Sequence, residues 1–161
     1  MKKLLILFLF SFLFSACGNN KADQPGTDDD TATVAQSHYI WQSTLNDSTG
    51  KLELVPLEQL HTDSLQPKDV ITVINKTNIE TGFSGKVRLD FIKTSGDTVY
   101  VKIPDATYLT QQMGSTGPTL FFAGVVYTLT GLSGINYVNF DFDEGDHAAP
   151  GTYNRESFKD E

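Results

Sequence analysis

Cysteine and basic residues are both scarce in this 161-residue sequence. Its single cysteine, Cys17, allows neither a disulfide framework nor a CxxC metal site within one chain. Setting aside Lys2 and Lys3 at the N-terminus, 10 basic residues stand against 20 acidic ones, a net charge of −10. Because neutralising phosphates requires a basic surface, we expect no nucleic-acid partner. The length is that of one domain.

Long apolar runs are also missing beyond the N-terminus, and none reaches the roughly 18 residues that predict a transmembrane helix. Lys2 and Lys3 precede a mainly apolar stretch of 11 residues from Leu4 to Phe14. This stretch is too short to span a hydrocarbon core of about 30 Å as a helix. Basic residues before a short apolar stretch are typical of a secretory signal peptide, so we expect residues 1–16 to be removed.

The small residues Ser15 and Ala16 stand directly before Cys17. This arrangement resembles the bacterial lipobox, in which the cysteine is diacylated and the chain is cut before it. The resemblance implies that Cys17 begins the mature protein and anchors it to a membrane, because two or more acyl chains give stable attachment. It places the protein in the bacterial cell envelope, on the periplasmic or outer-membrane side. The alternative is an ordinary signal peptide followed by an incidental cysteine.

A polar segment separates Cys17 from the rest of the chain. Residues 18–37 contain no aromatic residue, Leu or Ile and are rich in Asn, Asp, Thr, Gly and Ala. Such a segment cannot bury enough apolar surface to offset its ordering entropy. We therefore predict a disordered tether over residues 17–37, with a span of roughly 25 Å, and a single globular domain over residues 38–161.

The apolar residues of this domain predict both helices and strands. Pro67 opens a segment whose apolar residues share one side of a helix, although their β-branched side chains leave a strand open. Residues 86–103 alternate between apolar and polar on either side of Gly96, which is typical of a hairpin with one buried face. Residues 39–57 favour an N-terminal strand pair.

The second half of the domain predicts a buried helix and a final strand. After Pro118, apolar residues recur at helical spacing as far as Leu132, and Gly134 ends the segment. Alternation from Val138 to Phe142 then predicts a strand. The order helix, strand, strand, helix, strand predicts an α/β fold of the α+β two-layer type. It has a small three- or four-stranded mixed sheet, two helices on one face and an N-terminal strand region.

Five short motifs accompany these elements: Ile103–Asp105, Tyr108–Thr110, Met113–Ser115, Tyr127–Thr130 and Gly134–Val138. Together with the element order they resemble the GerMN domain, a family named for a spore-germination lipoprotein, over about residues 67–143. The resemblance implies an envelope domain that associates with itself, with other proteins or with the cell-wall polymer. It implies no reaction, no catalytic residues and no cofactor.

One short acidic segment holds five potential ligands around Gly145: Asp141, Asp143, Glu144, Asp146 and His147. The spacing is not that of an EF-hand, because glycine stands fifth instead of sixth and Thr152 takes the twelfth position, which requires Glu. Three interpretations stay open. The segment is a turn held by side-chain-to-backbone bonds, a metal or catalytic loop, or a contact surface for a partner.

A turn of Ser115, Thr116 and Gly117 precedes the second predicted helix. Ser and Thr are typical helix N-caps, and the unpaired N–H groups at a helix start can also bind an anion. A third interpretation pairs Ser115 with His147 as nucleophile and base, although no GxSxG motif surrounds this serine.

Aromatic residues lie near both ends of the domain: Tyr39, Trp41, Tyr153 and Phe158. They either pack onto the core or form a platform for a glycan or a protein.

Taken together, these features favour a lipid-anchored envelope protein whose domain is a non-catalytic binding or assembly module without a cofactor. We expect an envelope protein or peptidoglycan as its partner, besides the membrane, and self-association into a homo-oligomer is a further expectation. The alternative is a cell-wall or glycan-processing accessory enzyme, or a metal-binding protein, that uses residues 141–147. A ligand-binding protein of a transport system is a third class, for which the domain is small.

Overall fold

The computed structural model describes residues 38–61, 64–80 and 86–161. All of them belong to the unit Val34–Glu161. The predicted signal peptide, the lipidated Cys17 and the tether lie outside the described residues. Within the described ranges, no helix is both long enough and apolar enough to cross a membrane.

The described residues form six strands, two α-helices and two short helical segments. In chain order these are β1 (His38–Leu45), β2 (Leu52–Leu60), α1 (Pro67–Glu80), β3 (Asp90–Ser95), β4 (Thr98–Lys102), a π-helical segment (Tyr108–Gln112), α2 (Gly117–Leu129), β5 (Tyr137–Asp141), β6 (Gly151–Tyr153) and a 3₁₀ segment (Arg155–Phe158). The predicted order from the first helix to the last strand is confirmed. Strand β6 and the two short helical segments were not predicted.

Strands β3 to β6 form one mixed sheet in chain order. β3 and β4 are antiparallel, β4 and β5 are parallel, and β5 and β6 are antiparallel. Because β4 and β5 are parallel, both begin at the same end of the sheet, and the chain must cross back to that end after β4. Helix α2 lies in this connection. The predicted mixed sheet is therefore confirmed, with four strands.

One face of this sheet is buried beneath both helices. Val99, Val101, Val138 and Phe140 are each at most 1% exposed. Because successive side chains of a strand point to opposite faces, these alternate residues of β4 and β5 share one side. They form a single core with apolar residues of α1 and α2, which confirms that the two helices pack on one face.

Strands β1 and β2 pair as an antiparallel N-terminal hairpin, and this hairpin packs against helix α2. Strand β1 approaches it so closely that a Cβ atom on Gly124 would lie 2.9 Å from the Trp41 carbonyl oxygen. The Trp41 N–H donates to Thr128 Oγ1 at 2.9 Å, and the Ser43 hydroxyl donates to the Leu120 carbonyl. These bonds fasten the predicted N-terminal strand region to α2, on the side where only glycine leaves room for it.

Candidate functional site

The predicted acidic loop follows β5, and its five candidate ligand side chains are all exposed: Asp141, Asp143, Glu144, Asp146 and His147. Main-chain groups hold the turn. The Gly145 N–H donates to the Ala148 carbonyl at 3.1 Å, and the His147 N–H donates to the Thr110 carbonyl at 3.0 Å. Among the described residues, the hydrogen bonds that hold this loop thus come from backbone groups. The first interpretation assigned that role to bonds from side chains to the backbone.

Gly145 of this loop lies directly against Thr110 of the π-helical segment. A Cβ atom on Gly145 would lie 2.6 Å from Thr110 Cβ and 2.8 Å from Thr110 Oγ1. Thr110 is 3% exposed, and its hydroxyl donates to the Ala106 carbonyl at 2.9 Å, so it has no space to move aside. Only glycine fits at position 145, and the loop is positioned by this packed contact.

The acidic side chains do not converge on a common point. In the part of the chain that the structure describes, no three or more His, Cys, Asp or Glu side chains are grouped to hold a metal ion. A structural zinc site takes four ligands, and calcium takes more. The loop instead presents acidic side chains to solvent from a fixed backbone, an arrangement that suits contact with a positively charged surface.

The predicted turn before α2 contains the N-cap residue of this helix. Thr116 holds the N-cap position, but its backbone is helical, with φ −89° and ψ −29°, and its side chain makes no capping hydrogen bond. A capping side chain reaches the N–H groups of the first turn when the N-cap backbone is extended. Here the Leu120 N–H donates to the Thr116 carbonyl at 3.1 Å, so helical bonding simply begins at Thr116. Ser115 is exposed beside it.

His147 lines a groove of about 190 Å³ together with Ser157 and Glu161, and Ser115 is not among the residues of this groove. The Ser157 hydroxyl is already engaged with Asn154. It donates to Asn154 Oδ1 at 3.2 Å and accepts the Asn154 N–H at 3.1 Å. The serine that shares this groove with His147 therefore uses its hydroxyl to cap the 3₁₀ segment.

The aromatic residues at the two ends of the domain do not form one platform. The ring of Tyr153 stacks on that of Phe122 at 5.2 Å and on that of Phe158 at 6.2 Å, where both join the core. The Tyr153 hydroxyl donates to the Ala149 carbonyl at 2.9 Å, and burial raises the pKa of this phenol. Trp41 contacts Tyr39 at 5.7 Å on the N-terminal hairpin, where both are half-buried.

Sequence reasoning missed the side of the four-stranded sheet opposite the core, which the described residues leave exposed or half-buried. We define this outer face by the strand residues opposite the core, none of which is buried: Asp90, Lys93, Ser95, Thr98, Tyr100, Lys102, Tyr137, Asn139, Asp141 and Thr152. The signal was present in β5, where polar Asn139 separates the apolar residues Val138 and Phe140. That alternation assigns its polar positions to the outer face as clearly as it assigns its apolar positions to the core.

Strand register arranges the outer face in rows. One row consists of Lys93, Tyr100, Asn139 and Thr152, and its neighbour consists of Asp90, Lys102 and Asp141. The Lys93 Nζ lies 4.9 Å from the centre of the Tyr100 ring, and Asn139 Nδ2 donates to Thr152 Oγ1 at 2.7 Å. Side-chain contacts therefore join the first row in two pairs, while the second row alternates in charge.

Comparison with known proteins assigns the chain to a family. Residues 39–146 match the model of the Germane family, described as "Sporulation and spore germination". Because the match covers more than half of the sequence, the chain belongs to the Germane family, and the predicted GerMN-like domain is confirmed. No curated protein matches the chain.

One solved structure similar to this chain contains the tandem GerMN domains of the sporulation protein GerM from Bacillus subtilis. The two are 13% identical with a TM-score of 0.47, and the match covers 83% of this chain and 49% of that chain. This chain therefore spans about half the length of the similar structure.

Proposed function

We propose that this protein is a lipid-anchored envelope protein whose domain is a non-catalytic module that binds another envelope protein through the outer face. The observation that carries the proposal is the contrast between the two faces of one sheet. Residues on the inner face, such as Val99 and Val138, are 0% exposed, whereas no residue of the outer face is buried. A sheet with one face that the described residues do not bury is able to receive a second molecule without rearranging its strands.

The composition of the outer face suits a protein partner. Tyr100 and Tyr137 supply aromatic area, and tyrosine is enriched where proteins meet. The row of Asp90, Lys102 and Asp141 favours a partner with the opposite order of charges and disfavours surfaces that bring like charges together. Because hydrogen bonds between strands already order the backbone, little conformational entropy is lost on binding.

Membrane attachment supports such a role for a small surface. A lipid at Cys17 and a tether of roughly 25 Å would keep the domain close to the membrane and to other anchored proteins. Tethered partners meet at effective concentrations of about 1 mM, so a face of four short strands suffices for specific association.

Photo-crosslinking of the full chain in its own membranes tests the proposal. A benzophenone amino acid replaces Tyr137 or Asn139 on the outer face, and Thr72, an exposed residue of α1, serves as the matched control. We expect both outer-face positions to form the same adduct with one protein, and Thr72 to form none. Equal adducts from all three positions, or adducts from Thr72 alone, would contradict the proposal.

A charge change identifies the row that selects the partner. Lys102→Glu turns the row of Asp90, Lys102 and Asp141 into three adjacent negative charges. We expect this variant to lose the adduct at Asn139, because the new carboxylate would meet the acidic position of the partner that faces Lys102. Lys68→Glu, an equal charge change on α1, should leave the adduct unchanged.

A further inference from the structure

A groove lies between the end of α2, the start of β5 and the 3₁₀ segment. Several of its polar side chains form hydrogen bonds with neighbouring residues. We call it the Arg155 groove. Its volume is about 360 Å³, and its walls include Asn136, Tyr137, Asn154, Arg155 and Glu156. Small-ligand sites have volumes of about 300–1,000 Å³, so the groove has room for a ligand of one or two rings.

Three contacts hold Arg155, an exposed residue in the wall of this groove. Its Nε donates to Thr130 Oγ1 at 2.8 Å, its Nη2 donates to the Tyr127 carbonyl at 3.3 Å, and its guanidinium carbon lies 5.0 Å from the centre of the Tyr127 ring. These bonds use two of the five N–H donors of a guanidinium, which leaves three for a ligand. Because the side chain is already ordered, a ligand that uses them costs little rotamer entropy.

The two asparagines of the groove are each held through a different atom of the side-chain amide, the nitrogen in Asn136 and the oxygen in Asn154. Asn136 Nδ2 donates to Asp97 Oδ2 at 3.1 Å, and no described residue occupies the Asn136 Oδ1 acceptor. Asn154 Oδ1 accepts both the Ser157 N–H and the Ser157 hydroxyl at 3.2 Å, and no described residue takes up the Asn154 Nδ2 donors. One amide therefore offers a ligand an acceptor, and the other offers donors.

The remaining walls complete a mixed set of groups. Glu156 pairs with Lys159 through its Oε2, which leaves Oε1 as a second acceptor. Tyr137 is 38% exposed and adds an aromatic surface. Lys159 already pairs with Glu156, so the groove offers the free donors of Arg155 beside a carboxylate oxygen that only accepts.

This combination discriminates among classes of ligand. A carboxylate or a phosphate dianion only accepts hydrogen bonds, and an ammonium group only donates them, whereas each hydroxyl group does both. Fixed donors and acceptors side by side therefore match the neighbouring hydroxyls of a sugar, and an aromatic ring matches the apolar face of a pyranose. We propose that the Arg155 groove binds a neutral glycan through one or two pyranose units. This site is independent of the protein partner proposed for the outer face, although Tyr137 borders both.

Calorimetric titration of the full lipidated chain in detergent tests the site. The probes are two neutral tetrasaccharides, one of N-acetylglucosamine and one of glucose, each taken to about 10 mM to detect weak binding. We expect at least one of them to bind, and the pair distinguishes an amino-sugar glycan from a plain glucan. Absence of binding by both would overturn the proposal, whatever the result of crosslinking at the outer face.

Matched variants locate the binding. Asn136→Ala and Tyr137→Ala should each weaken it about tenfold, since each removes a ligand contact from a fixed wall. Asn139→Ala removes a similar amide from the outer face, outside the groove, and should change the affinity by less than twofold. Unchanged affinity in Asn136→Ala and Tyr137→Ala, with melting temperatures like that of the parent chain, would equally overturn the assignment to this groove.

Discussion

The Nε–H of Arg155 donates to Thr130 Oγ1 across 2.8 Å, so the 3₁₀ segment closes the C-terminal end of α2. The Thr130 hydroxyl in turn donates to the Val126 carbonyl at 2.7 Å, so Thr130 links Arg155 to the backbone of α2. The last turn of a helix leaves carbonyl groups without helical partners and carries partial negative charge. Arg155 satisfies both conditions, since it supplies hydrogen-bond donors and a positive charge at this end.

Replacing Arg155 should therefore destabilise the domain. We expect Arg155→Ala to lower the free energy of unfolding by about 1–2 kcal/mol, through the loss of two exposed hydrogen bonds and of the contact with the Tyr127 ring. Arg155→Lys keeps the charge but not the planar group and should lose about half as much. Urea denaturation at neutral pH measures both. Lys159→Ala, which removes only an exposed ion pair with Glu156, is the control and should stay within about 0.5 kcal/mol.

Gly124 should resist substitution although it lies within a helix. Alanine has the better helix propensity by about 1 kcal/mol, but its Cβ would lie 2.9 Å from the Trp41 carbonyl oxygen, which belongs to the backbone of β1. We expect the clash to prevail, because moving β1 also disturbs the Trp41 bond to Thr128, and Gly124→Ala to lose about 1–3 kcal/mol. Thermal unfolding measures the loss. Thr72→Ala on the exposed side of α1 should be nearly neutral, and an equally neutral Gly124→Ala would contradict this account.

Periodicity in the sequence predicted the main elements because their apolar residues face one shared core. In helix α2 the apolar residues recur at helical spacing, and in strand β5 they alternate with polar residues, as Val138 and Phe140 illustrate. Strand β6 escaped prediction because it is only three residues long, Gly151–Tyr153, and follows Pro150 directly. A strand of this length shows no alternation, and its pairing with β5 supplies its conformation.

The candidate site followed less well from the sequence. The acidic residues around Gly145 suggested a ligand cluster, since they are close together along the chain. Their arrangement in space depends on Thr110, a residue 35 positions earlier that packs against Gly145. The Arg155 groove likewise depends on contacts with Thr130 and Tyr127, more than twenty residues away. Local patterns do not report such distant contacts.

Substitution of Gly145 should release the acidic loop from the π-helical segment. In Gly145→Ala, the new Cβ would lie 2.6 Å from Thr110 Cβ, and we expect a loss of about 1–3 kcal/mol in the free energy of unfolding. Amide hydrogen exchange should locate the change, with faster exchange of the His147 N–H, which donates to Thr110. Gly151→Ala is the control, because its Cβ would make an ordinary contact of 3.5 Å. Unchanged exchange at His147 would show that the contact with Thr110 does not hold the loop.

The pKa of Asp105 should lie below its ordinary value of 3.8. The main cause is the hydrogen bond that its carboxylate accepts from the Thr107 backbone N–H, and the second is a hydrogen bond from the Thr107 hydroxyl. A carboxyl group whose pKa is lowered by folding favours the folded state above pH 3.8, and this contribution is lost as the pH falls through the folded-state pKa. Carboxyl-carbon NMR during acid titration measures the pKa directly. Thr107→Val keeps the backbone bond, so the pKa should rise only part of the way towards 3.8. A pKa at or above that value in the parent chain would contradict the proposed bonds.

Cys17 supplies the last prediction, which concerns the proposed membrane anchor. If the lipobox resemblance holds, mass spectrometry of the protein from its own membranes should find Cys17 as the first residue, with acyl chains attached. Cys17→Ser removes the only thiol, so the acyl mass should be lost and residues 1–16 should be retained, because the lipobox cut follows acylation of the cysteine. A matched Ser48→Ala variant in the β1–β2 turn should be processed like the parent chain. An N-terminus elsewhere, with an unmodified thiol in the parent, would instead indicate an ordinary signal peptide and leave the tether without its anchor.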